Sequence, residues 1–256
     1  AGNLEVRHLL NVKTVAVPSK TPLTLRVPQS VHHEAGCTGA ALLTLQKEYH
    51  YQRVFVLTDR YLYQNGIIAP VLKQLEQMGL CYTTYYDITP SLTTEQVEKG
   101  AVAVEQFQPD VILGIGGGTV LDAAKLMRYR YAHPEVSWEA LQVRWLDREK
   151  RVLDEGKSDK KTALFMLATT AGTGAETTPC AVVTDEKTGT PWPIYHPELL
   201  PTASIVDVEH MRNLPKGLTR EGGMSTLTRA IESYLSLCAT DYTDGFSLFA
   251  CRNVLK

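Results

Sequence analysis

Apolar positions along the chain switch repeatedly between the two-residue period of strands and the three- and four-residue spacing of helix faces. Residues 53–58 (RVFVLT) form a short β-rich run, and Ile67, Val71, Leu72, Leu75 and Met78 then recur on one side of a helix. Residues 82–87 are the next strand candidate. Thr93 or Thr94 caps a helix that carries Val97, Ala101, Val104 and Phe107 on one face. Residues 111–115 are apolar without a break, as a strand covered on both faces requires, and a glycine cluster and another helix follow at once. Residues 138–150 predict a further helix with charge on its outer side, and 157–161 a polar loop. Residues 165–168 and 204–207 read as strands, while 181–184 and 191–194 flank a turn at 185–189. Strand, helix, strand, helix, strand, glycine turn, helix: that order predicts an α/β protein with a parallel sheet and right-handed crossovers.

The two ends differ from this middle. Residues 1–36 read as an extended lead-in, because Pro18 and Pro22 cannot sit inside a helix, and 23–27 alternate like a short edge strand. After Pro215 the pattern is helical only, with Leu227, Ile231, Tyr234 and Leu235 on one stripe and a second helix from about Asp241. Three segments follow from the pattern: the lead-in 1–36, an α/β domain over 37–207, and helices over 208–256.

Composition narrows the function classes. Of 256 residues, 44% are hydrophobic and 21% charged, which excludes disorder and collagen. Lys plus Arg is 26 against 28 Asp plus Glu, so the net charge of -2 gives no reason to expect nucleic acid or an anionic membrane as partner. No apolar run approaches the roughly 20 residues of a membrane span. The five cysteines (Cys37, Cys81, Cys180, Cys238, Cys251) are scattered and never form a C-x-x-C pair; reduced, buried or half-buried thiols are the expectation. With no basic and apolar leader after Ala1, the expected location is intracellular, in the cytoplasm or in an organelle matrix after removal of a transit peptide.

Chemistry concentrates in two loops. Gly114, Gly116, Gly117 and Gly118 precede Thr119 between a buried strand and a helix; their amides and the helix N-terminus suit a phosphate, although the spacing misses G-x-G-x-x-G. A tight turn without a ligand is the plain alternative. Asp122 and Lys125 share a face of the next helix, where an exposed ion pair of little value is the simplest reading. Thr169, Thr170, Gly172, Thr173 and Gly174 form a second polar loop after a buried strand, at the same sheet edge. Asp59 ends the first strand, placed to bind a ribose or to cap a turn.

Together these segments resemble the iron-type, metal-dependent alcohol dehydrogenases. GIGGGTVLDAAK (114–125) is similar to that family's diphosphate loop and TTAGTGAETTPCAVVTD (169–185) to its second signature. HLLNVKTVA (8–16), FVLTDRYLYQNG (55–66), ASIVDVEHMRNLPKGLTREGG (203–223) and ATDYTDGFSLFA (239–250) resemble the alcohol dehydrogenase half of bifunctional aldehyde-alcohol dehydrogenases. The resemblance implies a Rossmann-like parallel-sheet nucleotide domain followed by the start of an all-helical domain. It implies NAD as cofactor, with Asp59 on the adenosine ribose, Gly116, Gly117, Gly118 and Thr119 on the diphosphate and Asp122 in the same loop. Thr169, Thr170 and Thr173 would lie near the diphosphate and nicotinamide ribose.

The likeness breaks at the metal. The family's first two ligands are an Asp and a His four residues apart, and Ser225 and Arg229 stand there in this chain. A hydroxyl is a poor ligand and a guanidinium a permanent cation, so neither iron nor zinc is expected and no catalytic residue is named. Two functional expectations follow. In one, the chain is a dehydrogenase-like subunit that has lost metal-dependent catalysis and serves a larger assembly, whose other protein chains cover the stripe Leu227, Ile231, Tyr234, Leu235 with Phe246, Leu248 and Phe249. In the other, it is part of an NAD-dependent alcohol dehydrogenase, and the rest of the same polypeptide covers that stripe.

Overall fold

The computed structural model describes residues 25–142, 161–236 and 239–256. The chain order begins β1 (Ser30–His33), α1 (Thr38–Tyr49), β2 (Arg53–Leu57), α2 (Arg60–Gln64), α3 (Ala69–Gln77), β3 (Cys81–Tyr85), α4 (Thr94–Phe107) and β4 (Val111–Gly116). It continues α5 (Gly118–Ala132), α6 (Trp138–Leu141), β5 (Ala163–Ala168), β6 (Cys180–Thr184), β7 (Pro191–Tyr195), β8 (Ala203–Val206), α7 (Lys216–Tyr234) and α8 (Asp241–Val254). Six strands form one sheet in the order β1-β8-β5-β4-β2-β3, with every pair parallel. β6 and β7 form a separate antiparallel hairpin.

Alternation across the central strands divides the core in two. Val54 and Val56 of β2, Leu113 and Ile115 of β4 and Phe165 and Leu167 of β5 pack on one face against Leu42 and Leu45 of α1 and Val71 and Leu75 of α3. Phe55, Leu57, Ile112, Leu164 and Met166 pack on the other face against Val97 and Val104 of α4 and Leu121, Ala124 and Met127 of α5. The crossovers explain this assignment. β1 to β2 and β2 to β3 run in one direction across the sheet, β3 to β4 and β4 to β5 in the other, and crossovers of one hand must then cover opposite faces.

Local signals fix several boundaries. Thr93 caps α4 in a capping box, its side chain accepting from the Gln96 amide while Gln96 reaches back to the Thr93 amide. α1 has no side-chain cap of its own. Asp207, just after the neighbouring strand β8, takes that role, accepting from the Gly36 amide at 2.8 Å, the Thr38 amide at 3.1 Å and the Thr38 hydroxyl at 2.7 Å.

Some expectations need correction. Residues 25–27 form no strand, and the edge strand is β1, inside the expected lead-in, where it pairs with β8. The helix expected after β2 comes in two pieces, α2 and α3, because Gly66 turns the chain at φ +68; Ile67 is left exposed while Ile68 takes the core position. The helix expected from Trp138 ends at Leu141, where Gln142 is extended and bridges Ile194; 143–150, like 157–160, lie outside the described residues. Cys37 and Cys251 are half-buried, but Cys81 and Cys180 are exposed, each opening a strand at the margin of its sheet. Among the described residues no helix is long and apolar enough to cross a membrane.

Candidate functional site: a crevice at the carboxyl edge of the sheet

β2 and β4 lie side by side, yet the chain leaves β2 towards β3 and leaves β4 towards β5. Connections that part in this way cannot fill the space above the strand ends, and a crevice opens there. It is a cavity of about 500 Å³ lined by Asp59 and Arg60 after β2, Ile88 to Pro90 after β3, Gly117 to Val120 after β4, and Thr170 after β5. Arg60 pairs with Asp87 at 2.9 Å on its rim, both side chains exposed. Arg60, Ile88, Thr89 and Pro90 were not among the sequence candidates; their place just after parallel strands was the available signal, and using it required the strand order.

The glycine turn faces the threonine loop closely. A Cβ on Gly117 would lie 3.3 Å from the Thr170 hydroxyl, and one on Gly118 would lie 2.7 Å from Cγ2 of Thr173, closer than side chains tolerate. The Thr169 amide donates to the Gly116 carbonyl at 3.0 Å and ties the two loops together. Gly117 caps α5 in extended conformation with no side-chain cap, so the first amides of this 15-residue helix have no side-chain acceptor. An anion of diphosphate size suits such a cradle, through the amides and the helix dipole. Asp59 spends one carboxylate oxygen on the Leu62 amide at 2.8 Å, capping α2, and its other oxygen remains to accept from a hydroxyl in the cavity. The residues present therefore fit a dinucleotide.

Of the candidates, Asp59, Gly117, Gly118, Thr119 and Thr170 line the cavity. Gly116 and Thr169 are buried beneath it, and Thr173 stands beyond Gly118. Asp122 turns away from the cavity. Its Oδ2 accepts from the Val182 amide at 3.0 Å, and its Oδ1 meets the Lys125 ammonium at 3.4 Å.

That pair is not the exposed one expected from spacing. The Lys125 side chain is fully buried and Asp122 half-buried, at 17% exposed, because the hairpin β6–β7 folds over α5. Lys125 Nζ also donates to the Cys180 carbonyl at 2.6 Å. Burial pushes the Asp122 carboxyl up against the opposing pull of Lys125, and burial lowers the Lys125 ammonium against the pull of Asp122. Glu176 nearby is raised by burial as well.

α7 meets the threonine loop through main-chain contact. Gly172 has φ +127, and a Cβ there would sit 2.5 Å from the Gly222 carbonyl oxygen. Seven residues on, the guanidinium of Arg229 donates to the Thr173 carbonyl, with Ser225 one helical turn earlier and half-buried. A divalent metal does not fit this pair, since Arg229 is a permanent cation and Ser225 a neutral hydroxyl. Among the described residues no three His, Cys, Asp or Glu side chains gather into a possible metal site.

Comparison with known proteins places this architecture. The family model for iron-containing alcohol dehydrogenases matches residues 28–208. The bifunctional aldehyde-alcohol dehydrogenase AdhE of Escherichia coli K12 is 36% identical over 250 residues, which cover 98% of this chain and 28% of that protein. The chain therefore spans about 28% of the length of this curated relative. Among solved structures, the iron-containing alcohol dehydrogenase of Thermococcus thioreducens matches with a TM-score of 0.79 at 22% identity, covering 90% of this chain and 59% of that one. Sulfoacetaldehyde reductase of Bifidobacterium kashiwanohense, solved in complex with NAD+, matches with a TM-score of 0.77 at 21% identity, covering 92% and 59%. At these identities the two structures bear on fold alone, and both support the six-stranded Rossmann-like arrangement.

Proposed function

Because the chain belongs to the iron-containing alcohol dehydrogenase family, we propose that it is the dinucleotide-binding part of an NAD-dependent oxidoreductase that interconverts alcohols and aldehydes. One observation carries the reading: a glycine turn at the N-terminus of α5 opens onto the cavity that Asp59 also lines. NAD, when bound, exchanges a hydride with the alcohol carbon. The protein's own work is to hold that cofactor in one orientation. Gly117 and Gly118 let the backbone approach the diphosphate, and the open amides of α5 bind its charge. Asp59 accepts from a ribose hydroxyl, and Thr170 and Thr173 flank the path towards Arg229. No step is assigned to a metal, because Ser225 and Arg229 offer it no ligand.

Calorimetric titration with NAD+ tests this reading. Binding in the micromolar to millimolar range is expected, with loss in a Gly118→Val variant, whose side chain enters the space of Thr173. Absence of heat at millimolar NAD+ overturns it.

Ser225 and Arg229 favour a second reading, in which the chain has lost metal-dependent catalysis and acts as a subunit of an assembly. We propose within it that another protein chain covers the exposed side chains of Tyr242, Phe246 and Phe249 on α8. Turnover of a primary alcohol with NAD+ and added Fe²⁺ or Zn²⁺ separates the two, since activity excludes the second.

A further inference from the structure

Two neighbouring features differ in character. One is the cavity between Asp59 and the glycine turn. The other lies past Gly118, beyond the residues that line that cavity, where Thr173 stands against Gly118 and Arg229 reaches the Thr173 carbonyl. Arg229 reaches it from α7, through the hydrogen bond to the Thr173 carbonyl, and its charge acts on both Asp122 and Cys180.

Charge in this corner is unevenly matched. Asp122 is taken by Lys125 and by the Val182 amide. Glu176 is the other carboxylate whose field reaches Lys125. Arg229, by contrast, has no ion-pair partner among the described residues; its acceptor is a neutral carbonyl. Its side chain remains solvent-exposed, and a guanidinium presents a planar fork that matches a carboxylate through two parallel hydrogen bonds.

We infer that Arg229 makes the rim beyond Gly118 an anion-binding rim, and that the chain takes a substrate carrying a carboxylate beyond the reacting alcohol or aldehyde group. The class is that of short ω-hydroxy acids and their semialdehydes. This inference rests on the NAD reading above. Where the family resemblance leads one to expect a metal ligand, the permanent cation serves instead to orient the substrate, holding it by the end that does not react.

The test is titration of the full chain, first with NAD+ and then, at saturating NAD+, with 4-hydroxybutanoate against butane-1,4-diol, which replaces the carboxylate with a neutral hydroxymethyl group. 3-Hydroxypropanoate and 5-hydroxypentanoate cover the length of the span. The acid should bind several-fold, up to about 10-fold, tighter than the diol, the worth of a bidentate pair at a solvent-exposed guanidinium. Arg229→Gln should erase that preference while NAD+ still binds, and Arg229→Lys, which keeps the charge without the fork, should retain part of it. NAD+ binding with no preference for any of the acids overturns this inference alone. So does an acid that competes with NAD+ instead of binding beside it, because Arg229 would then serve the cofactor diphosphate. Failure of NAD+ to bind overturns the cofactor reading and this inference with it.

Discussion

Replacing Lys125 by Met tests whether the charge pair holds the hairpin β6–β7 on α5. The side chain is 0% exposed, and its ammonium meets three acceptors: the Cys180 carbonyl, Asp122 and, at 3.5 Å, the Thr178 hydroxyl. Met fills a similar volume without the charge. It leaves the Cys180 carbonyl unsatisfied, a loss of about 1–3 kcal/mol. It also leaves Asp122 with the Val182 amide alone, and breaking a buried pair from one side typically costs about 3–5 kcal/mol. These figures overlap, and release from the burial of an ammonium offsets part of them, so the expected net loss is about 2–4 kcal/mol. Urea denaturation followed by tryptophan fluorescence measures it. Asp122→Asn/Lys125→Met should lose less than the sum of the single variants, because removing both charges strands neither. The pH dependence has a defined sign. Asp122 is raised by burial in the folded state, so the fold binds more protons there than the unfolded chain, and stability falls as pH rises from the ordinary value of 3.8 through the raised one. Without Lys125 the carboxyl rises further, and the penalty in Lys125→Met should grow from acid towards neutral pH. A loss below about 0.5 kcal/mol, the range of ordinary surface changes, refutes the argument. Additive single variants refute it equally.

Other consequences are testable in the same chain. Burial raises the Asp207 carboxyl, but hydrogen bonds from Thr38, Gly36 and Glu209 outweigh this and hold it below its ordinary value of 3.8. Its stabilisation is therefore complete above that value and lost as pH falls through the lowered one, and Asp207→Asn should cost about 2–3 kcal/mol at pH 7 while flattening the acid limb of the stability curve. Thr93→Ala removes the capping box of α4 and should cost about 1 kcal/mol in urea denaturation, with no change in NAD+ affinity. If another chain covers α8, sedimentation should show association that grows with concentration and weakens in Phe246→Ser/Phe249→Ser; a monomer at every concentration overturns that proposal.

The middle of the sheet was legible because its strands are apolar runs of the right length between turn residues, as residues 111–115 and 165–168 show, whereas β1, with its two histidines, carries no such run. Contacts that join distant segments were not legible. α1 buries only Thr38, Ala41, Leu42 and Leu45, and its N-terminus is capped by Asp207, 169 residues from Thr38. No window of sequence contains both partners. Lys125 illustrates the same limit in the site. A three-residue spacing from Asp122 is identical on an exposed and on a buried face, and what buries the pair is a hairpin whose Cys180 carbonyl lies 55 residues away. The cavity was half legible: the glycine turn and Asp59 announced themselves, while Ile88 to Pro90 joined them only through the order of the strands.

That division follows the physics of the site. A phosphate cradle is made of backbone amides, so the residues that mark it are those permitting close approach, and glycines in sequence are visible wherever the chain folds. The corner around Thr173 is built differently, from groups on elements that meet only in the fold. There α7 rests on the loop 169–174 with Gly172 against Gly222, where neither position has room for a side chain. Main chain against main chain is the closest approach two segments can make, and it sets the reach of every side chain that follows on the helix. Arg229 lies two turns beyond that contact, which is the distance at which its guanidinium meets the Thr173 carbonyl. The glycine that brings α7 close is thus also what places a cation beside Thr173, and the reach of that cation is decided as much by Gly222 as by Arg229 itself.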